Sequence, residues 1–217
     1  MESVTRVNRE HLVTVALELI DEEGGDALSM RALAKRVDRQ VSSLYNHVAS
    51  RSDLIEAVRA RIVADIDTTA FDAEPWPAAV ESWARSYLAA FAAHPNVTFL
   101  LATTPIRDES TLHMYGRVIA ALVGAGWPVG DAVAVMRTVE ALVVGSAIDL
   151  VAPADLLDQA SVPPELPELR AALDPALGDG FSAQRAFEVG LAALMDGLRR
   201  RHAAPDPVDG SASPPHA

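Results

Sequence analysis

From Asn8 to Ile66 the apolar residues return at every third or fourth position, interrupted only by short polar or glycine-containing gaps. That spacing lines one side of successive helices and is incompatible with the two-residue alternation of a strand. Asn8 is placed to cap a first helix carrying Leu12, Val15, Ala16, Leu19 and Ile20, and Gly24-Gly25 stops it. Ser29 caps a short second helix reaching about Val37. The break Asp38-Arg39-Gln40 separates it from a third helix, Val41 to about Val48. Ser50, with Asp53 three residues on, has the shape of a capping box and opens a fourth helix. Leu54, Ile55, Val58, Ile62 and Ile66 run along one side of that helix.

The remainder reads as longer helices at about 76–93, 96–103, 111–125 and 131–151, punctuated by His94-Pro95, Pro105 and Gly126-Trp127-Pro128. Pro153 to Gly180 is rich in Pro, Asp and Leu and is expected to be loop, with one short helix near Pro164 to Leu173. A last helix follows from about Ser182 to Arg201. The tail AAPDPVDGSASPPHA offers no core-forming residues and is expected to be disordered. The expectation is therefore an all-α fold. A head occupies 1–50, a connecting helix and linker 51–74, a body 75–202 and the tail 203–217.

The formal charge of -12 conflicts at first sight with any role on nucleic acid. Its distribution resolves the conflict. Between Ala27 and Val63 there are seven basic residues (Arg31, Lys35, Arg36, Arg39, Arg51, Arg59, Arg61) against three acids (Asp38, Asp53, Glu56). A locally basic head on an acidic body can grip DNA while the body discourages non-specific sticking. There is no cysteine, hence no disulfide or thiolate metal site. No apolar run approaches the roughly 18–20 residues that span a bilayer. MESVTRVNREHL carries no apolar secretory segment, so a cytoplasmic protein with no membrane partner is expected.

The segment SMRALAKRVDRQVSSLYNHVASRSDLIEAV, Ser29 to Val58, holds the functional signal. Two short helices across a tight turn have helix-turn-helix geometry, which lays the second helix in the major groove of a duplex. Leu33, Ala34, Val37, Val41 and Leu44 can fasten the two helices together. Gln40, Ser42, Ser43, Asn46 and His47 are left for the outer face. These short or planar hydrogen-bonding groups suit base edges and phosphates. Val41 reads either as core or, if it faces out, as a partner for a thymine methyl.

This segment resembles the TetR family of repressors through "LAKRV", "SSLYNHV" and "RSDLIEAV". Weaker likeness continues through Trp76, His94-Pro95, "GAGWPVGDAV" and "VVGSAIDL", as in a tetracycline-repressor-like C-terminal domain. The resemblance implies a regulator, a repressor in character, that binds a palindromic double-stranded DNA operator as a homodimer and is released by a small-molecule effector. It implies DNA contacts from Arg31, Gln40, Val41, Ser43, Tyr45, His47 and Arg51, to which the reading of the residues adds Ser29, Ser42 and Asn46, with Arg39 as a phosphate contact private to this chain. Asp38 stands in the turn where the family favours glycine; Asp accepts a left-handed backbone better than most residues. Arg39 occupies a turn site that is usually apolar.

In the body, the helix from Asp131 to Ala152 and the last helix are apolar on more than one side. A helix of that kind needs two partners, its own core and a second surface. The resemblance makes that second surface the other subunit, in a four-helix bundle. Candidates for the effector site are Trp83, Tyr87, Phe91, Phe99, Met114, Trp127 and Met136, with Arg137 and Glu140 as polar groups. The same residues would serve equally as core and as a surface ion pair. Leu100 falls where the tetracycline repressor carries a ligating histidine, which argues against tetracycline-magnesium. His11, His47, His94, His113, His202 and His216 lack paired metal spacing, so neither metal nor cofactor is expected. With no nucleophile motif or phosphate-cradling glycine loop, an enzyme is not expected either.

Overall fold

The computed structural model describes residues 7–153, 156–177 and 182–204, and it is helical with no strand among them. The head contains α1 (Arg9–Glu23), α2 (Met30–Arg36), α3 (Val41–Leu44) and α4 (Arg51–Val63). A short α5 (Ala70–Ala73) leads to α6 (Trp76–Ala92), α7 (Pro95–Ala102), α8 (Glu109–Gly124) and α9 (Val129–Asp149). A small α10 (Pro167–Ala172) lies in the stretch expected to be mostly loop, and α11 (Ala183–Ala203) closes the body. The all-α expectation is borne out. The expected disorder of the tail falls, from residue 205 onward, outside the described residues.

Helix starts follow from side chains that satisfy otherwise orphaned amides. Asn8 accepts from the His11 amide at 2.8 Å, Ser29 from Ala32 at 3.1 Å and Ser50 from Asp53 at 3.0 Å. Each such cap contributes about 1 kcal/mol. Asp53 reaches back to the Ala49 amide at 2.8 Å, closing the box one residue earlier than in the usual pattern. Gly24 stops α1 at φ 87°, and Asp38 supplies φ 50° in the turn between α2 and α3. The third helix is shorter than its sequence suggests. After Leu44 the chain tightens into turns, with the His47 and Val48 amides both bonded to the Leu44 carbonyl.

The head closes on Leu12, Ile20, Leu33, Leu44, Leu54 and Ile62, all within 1% of full burial. It does not hang free of the body. His94 Nδ1 lies 2.8 Å from Asp21 Oδ2, and Asn96 donates to the Asp21 carbonyl at 2.7 Å. Gly25 passes so near Leu100 that an added Cβ would stand 3.2 Å from the Leu100 Cβ.

A stronger tie comes from α4. Arg59, only 5% exposed, donates to the carbonyls of Leu101 (3.2 Å) and Thr104 (2.9 Å) at the C-terminal end of α7. Its neighbour Glu56, 3.3 Å away, accepts the amides of Arg107 (2.7 Å) and Asp108 (2.8 Å) just ahead of α8. One ion pair on α4 thus satisfies main-chain groups at both ends of the α7–α8 connection, which is what makes its burial tolerable.

Candidate nucleic-acid interface and effector site

The head presents its polar residues outward. Ser29, Arg31, Arg39, Gln40, Ser42, Tyr45, Asn46 and Arg51 are exposed, Tyr45 at 52%, whereas Val41, Ser43 and His47 are half-buried. Several expected contacts are already spent within the chain. Ser29 is a cap, and the Ser43 hydroxyl donates to the Gln40 carbonyl at 2.7 Å. Val41 packs against the core. Arg51 donates through Nε to the Leu28 carbonyl at 2.7 Å and through a terminal nitrogen to Gly25 at 3.4 Å, so its guanidinium is committed to the loop before α2. Arg39 reaches the Asp38 carbonyl at 2.8 Å. The side chains of Arg31, Gln40, Ser42, Tyr45 and Asn46 make no hydrogen bond among the described residues, so their polar capacity faces outward unspent.

α1 steadies this surface. Arg9 grips Asp53 through both nitrogens at 2.7 and 2.8 Å and touches the His47 carbonyl at 3.3 Å. The Arg9 hydrogen bond outweighs a small burial penalty and, with the Ala49 amide, holds the Asp53 carboxyl at about 2. Arg36 pairs with Glu22 and Glu23. Local basicity is therefore thinner than the sequence suggests, because Arg36 and Arg59 are paired with acids, while Arg51 keeps its charge but spends donors on main-chain carbonyls.

The body gathers some of its candidates and separates others. Trp83, Tyr87 and Phe91 form a ladder along α6, with ring centroids 5.5 and 4.9 Å apart. Beside it the Tyr87 hydroxyl donates to Glu140 at 3.3 Å, and Arg137 donates to the other carboxylate oxygen at 3.2 Å. Glu140 is 3% exposed, while the Arg137 side chain is 66% exposed and approaches from the rim. Tyr115 completes the cluster. Burial first, then Glu140, pushes its hydroxyl well above the ordinary tyrosine range, and burial does the same for Tyr87. Met114 and Met136 are buried in the same core.

Trp127 sits elsewhere, packed with Trp76 (5.4 Å) and His202 (5.1 Å), where His202 Nε2 meets the Ala125 carbonyl at 2.9 Å. Phe99 faces solvent at 71% exposure. Sequence reasoning missed Tyr115, Arg59 and His202. Arg59 and His202 bond main-chain carbonyls, and a carbonyl leaves no mark in a sequence. The indole Nε1 of Trp83 and the hydroxyl of Thr98 are buried without a hydrogen-bond partner among the described residues.

A helix-turn-helix with an unspent polar face, mounted on a larger helical body, defines a DNA-reading regulator. Residues 12–58 match the family described as bacterial regulatory proteins, tetR family, and residues 70–202 match the tetracyclin repressor-like C-terminal domain. The tetracycline repressor protein class A from transposon 1721 of Escherichia coli is 30% identical, over 95% of this chain and 97% of that one. A possible TetR family regulator of Streptomyces coelicolor superposes with a TM-score of 0.76 at 30% identity, over 89% of this chain and 100% of that one. ActR of Streptomyces coelicolor, solved in complex with (S)-DNPA, gives a TM-score of 0.73 at 26% identity, over 90% of this chain and 98% of that one. The chain belongs to the TetR family. It is a transcription regulator with an N-terminal DNA-binding domain and a C-terminal regulatory domain, and its relatives are regulators rather than enzymes.

Proposed function

We propose that the chain is a cytoplasmic repressor that binds a palindromic operator as a homodimer and is released by a small-molecule effector. The observation that carries the DNA half is the row Gln40, Ser42, Tyr45 and Asn46, exposed and without hydrogen-bond partners among the described residues, on and around a short recognition helix. Gln40 and Asn46 have the amide geometry that reads adenine edges, while Arg31 and Tyr45 suit phosphates. Ser29, Val41, Ser43 and Arg51 act one step back, by holding that face in shape, while Arg39 and the ring of His47 flank it as further phosphate contacts.

The dimer is supported by what α9 and α11 leave uncovered. They pack on each other with Gly190 close beneath Leu142, yet Val133 and Ile148 on α9 and Val189 on α11 remain 48%, 46% and 55% exposed. Exposed Ala141, Gly145, Ala186 and Ala193 lie among them, so two copies can approach closely there. A twofold axis through this face sets the two recognition helices on successive turns of one duplex.

For the effector, the Trp83–Tyr87–Phe91 ladder beside Glu140 combines apolar surface with placed polar groups, as small-molecule sites do. That ActR has been solved with a small molecule supports a site in a body of this shape. An effector that favours a different arrangement of α6, α8 and α9 would act on α4 through the Glu56–Arg59 tie. It shifts the heads only by its differential affinity for the two states.

Selection of bound sequences from a random duplex pool tests the reading, with light scattering of the free protein for its mass. A palindrome and a two-chain mass are the expected results. Enrichment of no sequence, or a single-chain mass at micromolar concentration, overturns it.

A further inference from the structure

Between head and body lies a groove of about 780 Å3, outside both sites described above. Its floor is made of small apolar side chains, Val13 from α1 with Ala57 and Ala60 one turn apart on α4. Its rim is charged, and the state of those charges defines what it can hold. Asp53 is bound by Arg9 and the Ala49 amide. Glu56 is bound by Arg59 and two amides. Asp108 accepts from the Ser110 hydroxyl and from the Thr111 amide and hydroxyl; burial pushes its carboxyl up, but these bonds prevail and hold it below the ordinary value.

Those three carboxylates have little capacity left. The guanidinium groups of Arg61 and Arg107, by contrast, pair with no acid among the described residues, and both line the groove. Against them stand Glu10, which pairs with no base among the described residues, and Asp108, whose charge is met only by the neutral Ser110 and Thr111 donors.

We propose that this junction groove is a second small-molecule site, taking an organic anion with a flat apolar body. Its volume is that of a drug-sized ligand site. The alanine-lined floor accepts the apolar body, and Arg61 and Arg107 take the acidic group by charge-assisted hydrogen bonds. A molecule seated there touches α1, α4 and the turn before α8 together. It therefore bears on the relation of head to body without entering the aromatic core of α6, and the site stands independently of the operator and effector proposed above.

The test is titration of the full chain with the fluorescent anion anilinonaphthalene sulfonate, run beside N-phenylnaphthylamine, which keeps the aromatic body and lacks the sulfonate. Saturable binding of the sulfonate is expected, with amide shifts at Ala57, Ala60 and Arg107. Replacing both guanidiniums (Arg61→Gln with Arg107→Gln) is expected to weaken it about tenfold or more, the scale of a lost charge-assisted contact. The neutral dye is expected to bind far more weakly, and Ala60→Trp to block the groove. Helix content by circular dichroism accompanies each variant; the two glutamine replacements are exposed, so they read binding on a folded chain. Sulfonate affinity unchanged in the double variant, equal affinity for the neutral dye, or shifts confined to α6, α8 and α9 would each overturn the proposal.

Discussion

The recognition end of the head and the polar cluster of the body are built from the same material and use it in opposite ways. Around α3 the amides and hydroxyls of Gln40, Ser42, Tyr45 and Asn46 point away from the core and bond to nothing among the described residues. On α9 the carboxylate of Glu140 turns inward and is consumed by Tyr87 and Arg137. In sequence the two cases look alike, a polar residue amid helical apolar spacing. The difference teaches that unspent hydrogen-bonding capacity, rather than polarity, marks a surface ready to meet a duplex, whereas an effector beside Glu140 has to compete with the bonds already made there. A buried polar group must find its partners at home or cost about 1–3 kcal/mol.

Three changes probe this contrast. The largest effect is expected in the body. Trp83→Ala removes a fully buried ring from the aromatic ladder and is expected to cost about 3–5 kcal/mol, read as a lower urea midpoint. A loss below about 1 kcal/mol would mean that the ladder is loosely packed, and the contrast with the solvated head would weaken.

The head should behave conversely. Gln40→Ala or Asn46→Ala is expected to leave stability within about 0.5 kcal/mol, because nothing internal is lost. Each should weaken binding to the selected operator by about 1–3 kcal/mol. If either variant instead loses stability with no change on DNA, its side chain serves the fold.

The smallest effect concerns the support beneath that surface. Asp53→Asn is expected to cost about 1 kcal/mol near neutral pH, since its arginine partner is half exposed. The Asp53 carboxyl is depressed to about 2 in the folded chain, from 3.8. Its contribution is therefore complete above the unfolded value and disappears as pH falls through about 2. The stability gap between parent and variant should accordingly close on acidification. A gap that persists at pH 2 would show that the Asn change disturbs packing instead of charge.

Much of this was legible in the sequence. The caps at Asn8, Ser29 and Ser50, the left-handed turn at Asp38 and the apolar stripe of α4 follow from local chemistry, which a sequence states directly. Gln40, Ser42 and Asn46 around α3 were legible for the same reason, as residues left over once Leu33, Ala34 and Leu44 are assigned inward. Ser43 and His47, read as outward, are half-buried, and Tyr45 was indicated only by the family resemblance. What stayed hidden depends on distant main chain. Arg51 and Arg59 read as two more positive charges for DNA, yet their guanidiniums end on carbonyls 23 and 42 residues away. Phe99 reads as pocket wall but faces water. Trp127 reads alongside the α6 aromatics but packs with Trp76 and His202, because the turn at Gly126 carries it to another corner of the body.

The grip of Glu56 and Arg59 takes hold only of peptide groups at Leu101, Thr104, Arg107 and Asp108. A handle made of backbone is indifferent to the side chains it carries. The tie itself therefore sets no requirement on those side chains beyond an amide at 107 and 108, so a descendant could acquire a new chemical trigger in the body and inherit its transmission unaltered.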